Sequence, residues 1–172
     1  VATLGSLMAG QSPHFEAYPT AADDTAVIVY TSGTTGRPKG AMLTHTGLFT
    51  NANLSTGLLS MQKDDICLVV LPLFHIFAMT VLMNNSVYNG TTAVLLPRFD
   101  AEAEEKFDYA EISKNLRICG SGGASLPVKV LEDFEARFEV EIIEGYGMSE
   151  GSPVVTFNQL DIGRKPGSIG TP

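Results

Sequence analysis

Tyr30-Thr-Ser-Gly-Thr-Thr-Gly-Arg-Pro-Lys-Gly40 decides how the rest of the chain is read. The apolar run Ala26–Tyr30 precedes it and reads as a buried strand, and Ala41-Met-Leu-Thr-His45 follows as the opening of a helical segment. Gly33 and Gly36 free the backbone to turn and to approach a ligand closely. The hydroxyls of Thr31, Ser32, Thr34 and Thr35 stand around them, and Lys39 supplies a cation. Small hydroxyls, bare backbone N–H groups and a lysine at a strand-to-helix junction suit a polyphosphate. A Walker A loop ends in Gly-Lys followed by Ser or Thr. Here Pro38 precedes Lys39 and Gly40 follows it, so this phosphate loop is of another kind.

Composition narrows the rest. The 172 residues hold one domain and little more. Hydrophobic residues make up 44% and charged residues 17%, which is apolar for a soluble domain. No run reaches the ~20 apolar residues that a membrane span needs. The apolar stretches are short and broken by Gly, Pro and Asn, so they read as the strands and helices of an α/β core. An inner piece of a larger protein has the same composition. Eleven basic residues against nineteen acidic ones give a net charge of −8, with no Lys/Arg cluster. That excludes a nucleic-acid footprint and disfavours anionic membrane surfaces. Cys67 and Cys119 fall in expected strands with neither CxxC nor metal-ligand spacing. Buried thiols of a reducing compartment are the expectation. Val1–Gly10 lacks the basic start of a signal peptide, so a cytoplasmic location is expected.

Residues 1–22 read as a lead-in, and residues 23–172 as the core. After the phosphate loop, Thr44 is a candidate N-cap for a helix running to about Leu59. Ile66–Leu71 is a continuous apolar run, hence a buried parallel strand, and Leu73–Tyr88 a helix. Thr91–Leu96 is the next strand, closed by Pro97. Leu116–Cys119 is a strand leading into Gly120-Ser-Gly-Gly-Ala-Ser-Leu-Pro127. An amphipathic helix follows over Pro127–Phe138, with Val130, Leu131, Phe134 and Phe138 on one stripe. Val140–Ile143 and Val154–Phe157 are further strands. This rhythm predicts an α/β fold with a largely parallel sheet flanked by helices, whose ligands bind at carboxyl ends of strands.

Three further groups carry chemistry. Gly122-Gly123-Ala124 follows a strand end, where glycine lets the backbone lie against a planar ligand. Gly145-Tyr-Gly-Met-Ser-Glu150 sets a tyrosine between glycines at another strand end, where Tyr146 can offer its ring face to a base. Ser149 and Glu150 then supply a hydroxyl and a carboxylate, suited to phosphate and to a hard cation such as Mg²⁺. His75 stands just past the carboxyl end of the second strand, in Leu71-Pro-Leu-Phe-His-Ile-Phe77.

Together these blocks resemble the adenylate-forming superfamily, which includes acyl-CoA synthetases, beetle luciferases and the adenylation domains of peptide synthetases. Residues 30–40 match its loop Tyr/Phe-Thr-Ser-Gly-Ser/Thr-Thr-Gly-x-Pro-Lys-Gly throughout, and the other blocks follow in family order. The resemblance covers residues from about 23 to 172 and implies a partial N-terminal domain of such an enzyme. It implies that the loop from Thr31 to Gly36, with Lys39, holds the β- and γ-phosphates of ATP. Gly122, Gly123 and Ala124 would line the adenine pocket. Gly145, Tyr146 and Gly147 would bound the base, with Tyr146 stacked on it. Ser149 would touch the α-phosphate, Glu150 would bind Mg²⁺, and His75 would lie by the α-phosphate and the carboxylate. His75, Lys39 and Glu150 are thus the implied catalytic set. Ser149 replaces the family's Thr, and Ala78 stands where relatives often have Gly.

The implied reaction activates a fatty carboxylate with ATP to an acyl-AMP, which CoA converts to a thioester. Val94–Asp100 and Glu144–Phe157 favour the fatty-acyl type. A homodimer is compatible with the resemblance. The family's ribose-binding Asp and the adenylation Lys of its C-terminal domain have no counterpart in residues 1–172, so this piece alone is not expected to turn over. The region near residues 103–105 reads as a join where relatives carry a longer insertion. Two alternatives stay open: another adenylate-forming enzyme, of the peptide-synthetase or luciferase-like kind, and a non-catalytic nucleotide-binding module.

Overall fold

In a computed structural model, which describes residues 2–32, 36–96 and 109–172, strand β1 (Thr25–Thr31) pairs antiparallel with strand β2 (Lys39–Thr44). Thr31 lies opposite Lys39 and Thr25 opposite Thr44. Residues 41–44, expected to open a helix, are therefore strand. Their burial alternates with the period of two that a strand imposes: Leu43 is 3% exposed and Met42 67%. The helix begins one residue after Thr44, the expected N-cap, whose Oγ1 accepts the Gly47 N–H at 3.1 Å. Helix α2 runs His45–Leu58. Before the hairpin, the lead-in holds one short helix, α1 (Leu4–Met8).

The middle of the chain makes a crossover unit. Strand β3 (Ile66–Val69) pairs parallel with β4 (Thr92–Leu95), with Ile66 opposite Thr92. Parallel strands need a long connection. Here it is the π-helical segment Ala78–Asn84 followed directly by α3 (Asn85–Asn89), which ends at Gly90 in a left-handed conformation. This connection packs on α2 through a polar cluster. Thr56 Oγ1 donates to Asn85 Oδ1 at 3.1 Å, and Asn89 Nδ2 donates to Thr56 Oγ1 at 2.9 Å.

After α4 (Tyr109–Asn115), β5 (Cys119–Ser121) pairs parallel with β6 (Ile142–Gly147) across helix α5 (Val128–Phe138). Strand β7 (Val154–Phe157) returns antiparallel beside β6. The α/β class holds, with parallel pairing at the two crossover units and antiparallel pairing at the hairpin and at β6–β7. Two boundaries and one helix face here differ from expectation. Strand β5 starts at Cys119, and the Arg117 side chain before it donates to Asp65 and to the Leu59 carbonyl. On α5, Leu131 is fully buried, whereas Val130 is 53% exposed and leaves the apolar stripe. Strand β6 runs on through Glu144–Gly147, which reads in the sequence as a loop.

The buried apolar side chains gather at α2, β3, the π-helical segment, α5 and β6, with Ala78, Leu131 and Ile143 fully enclosed. One face of β1 and of β3 is bare: Ile28, Tyr30, Ile66 and Leu68 are each more than half exposed. Cys67 and Cys119 are free and half-buried, and burial pushes both thiols up from their ordinary value. No described helix is long and apolar enough to cross a membrane. Gly33, Thr34 and Thr35 of the phosphate loop lie outside the described residues. So does the expected join near residues 103–105.

Candidate active site

At the carboxyl ends of β5 and β6 an open cleft of about 190 Å³ gathers residues from three separate sequence blocks. His75 comes from the start of the β3–β4 crossover, Gly122 and Gly123 from the loop after β5, and Gly145, Tyr146, Gly147 and Ser149 from β6 and the turn beyond it. A loop after one parallel strand and the end of its neighbour make the crevice where open α/β sheets bind ligands.

Glycine is required in β6 for a steric reason. A Cβ on Gly145 would lie 2.2 Å from the ring of Phe157, its cross-strand partner. One on Gly147 would lie 2.2 Å from the Pro153 carbonyl oxygen, which accepts the Met148 N–H at 3.0 Å. The strand therefore stays extended where glycine alone would favour a loop. Tyr146 stands between them, 44% exposed, with its ring free to meet a flat ligand.

His75 is exposed, and its Nδ1 accepts the backbone N–H of Phe77 at 3.3 Å. That bond makes Nδ1 the acceptor of the neutral ring and leaves Nε2 as its donor. Ser149 and Glu150 sit on a single 3₁₀ turn, Ser149–Gly151, closed by the Gly151 N–H bonding to Met148 O at 2.9 Å. Ser149 lines the cleft, while Glu150 is exposed just beyond it and makes no ion pair among the described residues. Ala124 likewise lies beyond the lining, one residue past Gly123.

The phosphate loop connects the paired strands β1 and β2 rather than a strand and a helix. Thr31 Oγ1 donates to the Lys39 carbonyl at 3.5 Å and closes its base. Ser32 is exposed, Gly36 has φ +79, and the Lys39 side chain is exposed without an ion pair among the described residues. None of these residues lines the cleft, although β2 packs directly beside the Ser149–Gly151 turn. The hairpin thus stands next to the cleft without closing it.

Sequence reading missed part of the lining: Ile76, Phe77, Met148, Pro153, Val154 and Phe157. Ile76, Phe77 and Met148 adjoin motif residues and could have been included on that ground. Phe157 carries no local signal, since it reaches the site only by lying across from Gly145. The described lining contains no Lys, Arg, Asp or Glu. No group of three or more His, Cys, Asp or Glu gathers among the described residues. A lone exposed carboxylate beside a hydroxyl fits a Mg²⁺ ion that arrives with phosphates, the usual arrangement for that cation, and not a cage built by the protein.

Comparisons with known proteins show the family and the fold. The pattern of the family described as AMP-binding enzyme matches residues 5–111 and 101–172. The long-chain-fatty-acid–CoA ligase of Bacillus subtilis (strain 168) is 35% identical, over 87% of this chain and 31% of its own length. The mitochondrial malonate–CoA ligase ACSF3 of Mus musculus is also 35% identical, over 87% of this chain and 32% of its own length. Among solved structures, ATP-bound MatB from Rhodopseudomonas palustris superposes with a TM-score of 0.81 at 28% identity, covering 95% of this chain and 37% of that one. The chain spans about a third of the length of these curated relatives.

Proposed function

The chain belongs to the AMP-binding enzyme family, and on that premise we propose that the polypeptide carrying it activates a fatty carboxylate with ATP and passes the acyl group to CoA. The observation that carries this reading is the cleft itself, where His75, Gly122–Gly123 and Gly145–Ser149 converge from blocks far apart in sequence. In the first step a carboxylate oxygen attacks the α-phosphorus of ATP, and the bond to pyrophosphate breaks. In the second the CoA sulfur, losing its proton, attacks the acyl carbon, and AMP leaves.

The residues take the following roles. The ring of Tyr146 stacks on adenine while the glycine backbone at Gly122 and Gly123 bounds the base, with Ala124 next to it. His75 offers Nε2–H to an oxygen of the α-phosphate or the carboxylate, and the Ser149 hydroxyl donates to the α-phosphate. Lys39 and the loop from Thr31 to Gly36 meet the β- and γ-phosphates. Bound Mg²⁺ would neutralise phosphate charge, with Glu150 as its protein ligand. Catalysis by this part of the protein is then positioning and charge stabilisation.

The choice of a fatty acid rests on the character of the walls. Ile76, Phe77, Met148 and Val154 present an apolar side to the cleft. Among the described residues no cation lines it to pair with the second carboxylate of a malonate. A buried charge without a partner is costly, so an apolar acyl chain is favoured. Since the chain spans about a third of its relatives, the activity is that of a polypeptide longer than residues 1–172. The alignment with the Bacillus subtilis protein runs over 175 residues while covering 87% of this chain. That length supports a segment present in the relative and absent here, and the sequence reading would set it near residues 103–105.

The test is thioester formation by the complete polypeptide with ATP and CoA across acetate, malonate and fatty acids of rising length. Preference for a fatty acid by tenfold or more in kcat/KM is expected, the order of one or two methylene-sized contacts upward. Preference for malonate would overturn the substrate reading and leave the ligase class intact.

A further inference from the structure

Asn51 lies midway along α2 and is only 9% exposed. Its side-chain amide is turned to backbone groups a hundred residues further along the chain. Val154 N–H donates to Asn51 Oδ1 at 3.2 Å, and Asn51 Nδ2 donates to the Val154 carbonyl at 2.9 Å and to the Gly151 carbonyl at 3.4 Å. One amide thus meets both peptide groups of Val154, as a neighbouring strand would, and also grips the last residue of the Ser149–Gly151 turn. Behind it, Ser55 Oγ donates to the Asn51 carbonyl at 2.8 Å within the buried face of the helix.

The same helix is tied to the hairpin. It starts where β2 ends, at the Thr44 cap, and its first turn sits against Ser152, whose Oγ would lie 2.9 Å from a Cβ on Gly47. Strand β2 packs beside the Ser149–Gly151 turn as well. Helix α2 therefore spans the two parts of the site that the cleft does not join. One is the hairpin that carries the phosphate loop, and the other is the turn that carries Ser149 and Glu150.

We propose that Asn51 is a positioning residue, fixing the Ser149–Glu150 turn against the phosphate-loop hairpin through Gly151 and Val154. The inference rests on the reading of Glu150 given under Proposed function. A buried amide that satisfies three backbone groups is by itself a matter of stability. Its bearing on ATP comes from where those groups lie: Gly151 directly follows Glu150, and Val154 lines the cleft. Asn51→Asp keeps the shape and the acceptor for Val154 N–H but sets an oxygen against two carbonyls. Asn51→Ala leaves all three groups without their partner.

The test measures ATP affinity calorimetrically in Mg²⁺ and in EDTA, for the complete polypeptide and for Asn51→Asp, Asn51→Ala and Glu150→Ala, with thermal melting alongside. The wild type should bind ATP more tightly in Mg²⁺. Asn51→Asp should shrink that advantage by about tenfold while affinity in EDTA stays within about twofold, as for other groups that orient a metal ligand. Should Asn51→Ala fail to fold, Asn51→Asp carries the test. A folded Asn51 variant that keeps the wild-type Mg²⁺ advantage overturns the proposal. So does one that loses affinity equally in Mg²⁺ and EDTA, which is the mark of a purely structural role. An undiminished Mg²⁺ advantage in Glu150→Ala overturns the reading of Glu150 instead.

Discussion

Tyr146 stands on β6 between two glycines that cannot carry a side chain, one under the Phe157 ring and one against the Pro153 carbonyl. The ring is held by its strand and lines the cleft. Tyr146→Ala should weaken ATP binding by about 1–3 kcal/mol, the usual value of base-on-aromatic stacking, while Tyr146→Phe should retain most of it. Equilibrium titration with ATP or AMP decides between them, and equal loss in both variants would assign the effect to the hydroxyl. Gly147→Ala drives a Cβ into a backbone oxygen that accepts a strand hydrogen bond, so nothing flexible can yield. A loss of about 1–3 kcal/mol is expected from such overpacking, read as a lowered melting temperature together with lost ATP binding. Unchanged melting would mean that the β6–β7 register is looser than described.

Among the elements, α5 and β6 are locked by a charged cluster that also sets an acid limit on stability. Arg164 meets both oxygens of Glu135 at 2.7 Å and donates to the Ile142 carbonyl at 3.0 Å, while the Ile142 N–H donates to Glu135 at 2.7 Å. Burial alone would raise the Glu135 carboxyl, but the Arg164 guanidinium and the Ile142 N–H outweigh it and hold the group below its ordinary value. A carboxyl depressed in the folded state contributes fully above its unfolded value, ~4.3, and the contribution is lost as pH falls through the folded value. Arg164→Ala should therefore cost about 1–3 kcal/mol near neutral pH. The gap in melting temperature between wild type and variant should narrow from about pH 5 down to about pH 3. A gap that is constant with pH would show that the pair is not what couples α5 to β6.

The elements also show what the chain made legible and what it hid. Thr44 announces its helix, because a capping hydroxyl is a local signal. Strand β2 does not announce itself, because Ala41, Met42 and Leu43 are good helix formers and only pairing with β1 makes them extended. The glycine block of β6 reads as a loop for the same reason: glycine is poor in strands, and the partners that hold it extended come from β7. Cleft-lining residues that belong to motifs are legible in the sequence, His75 and Tyr146 among them. Asn51 carries no local signal, since its partners stand a hundred positions away.

At the scale of the molecule, the uncovered apolar strand faces and the length of the relatives tell one story. Ile28 and Tyr30 on β1 and Ile66 and Leu68 on β3 are each more than half exposed. An apolar surface of that kind is normally covered in a soluble protein. Residues 1–172 expressed alone should bind a hydrophobic dye, run as aggregates on size exclusion and catalyse no adenylation. A monodisperse, dye-silent fragment would contradict that expectation and show that the strands close on themselves.

The central claim is that the cleft between β5 and β6 adenylates a carboxylate, and carboxylate-dependent ATP–pyrophosphate exchange by the complete polypeptide tests it most directly. Exchange should appear only with added carboxylate, peak with a fatty acid and fall about a hundredfold in Ser149→Ala or Glu150→Ala, the scale of a lost contact to developing charge. Measurable ATP binding with no exchange for any carboxylate would contradict it and leave a nucleotide-binding module.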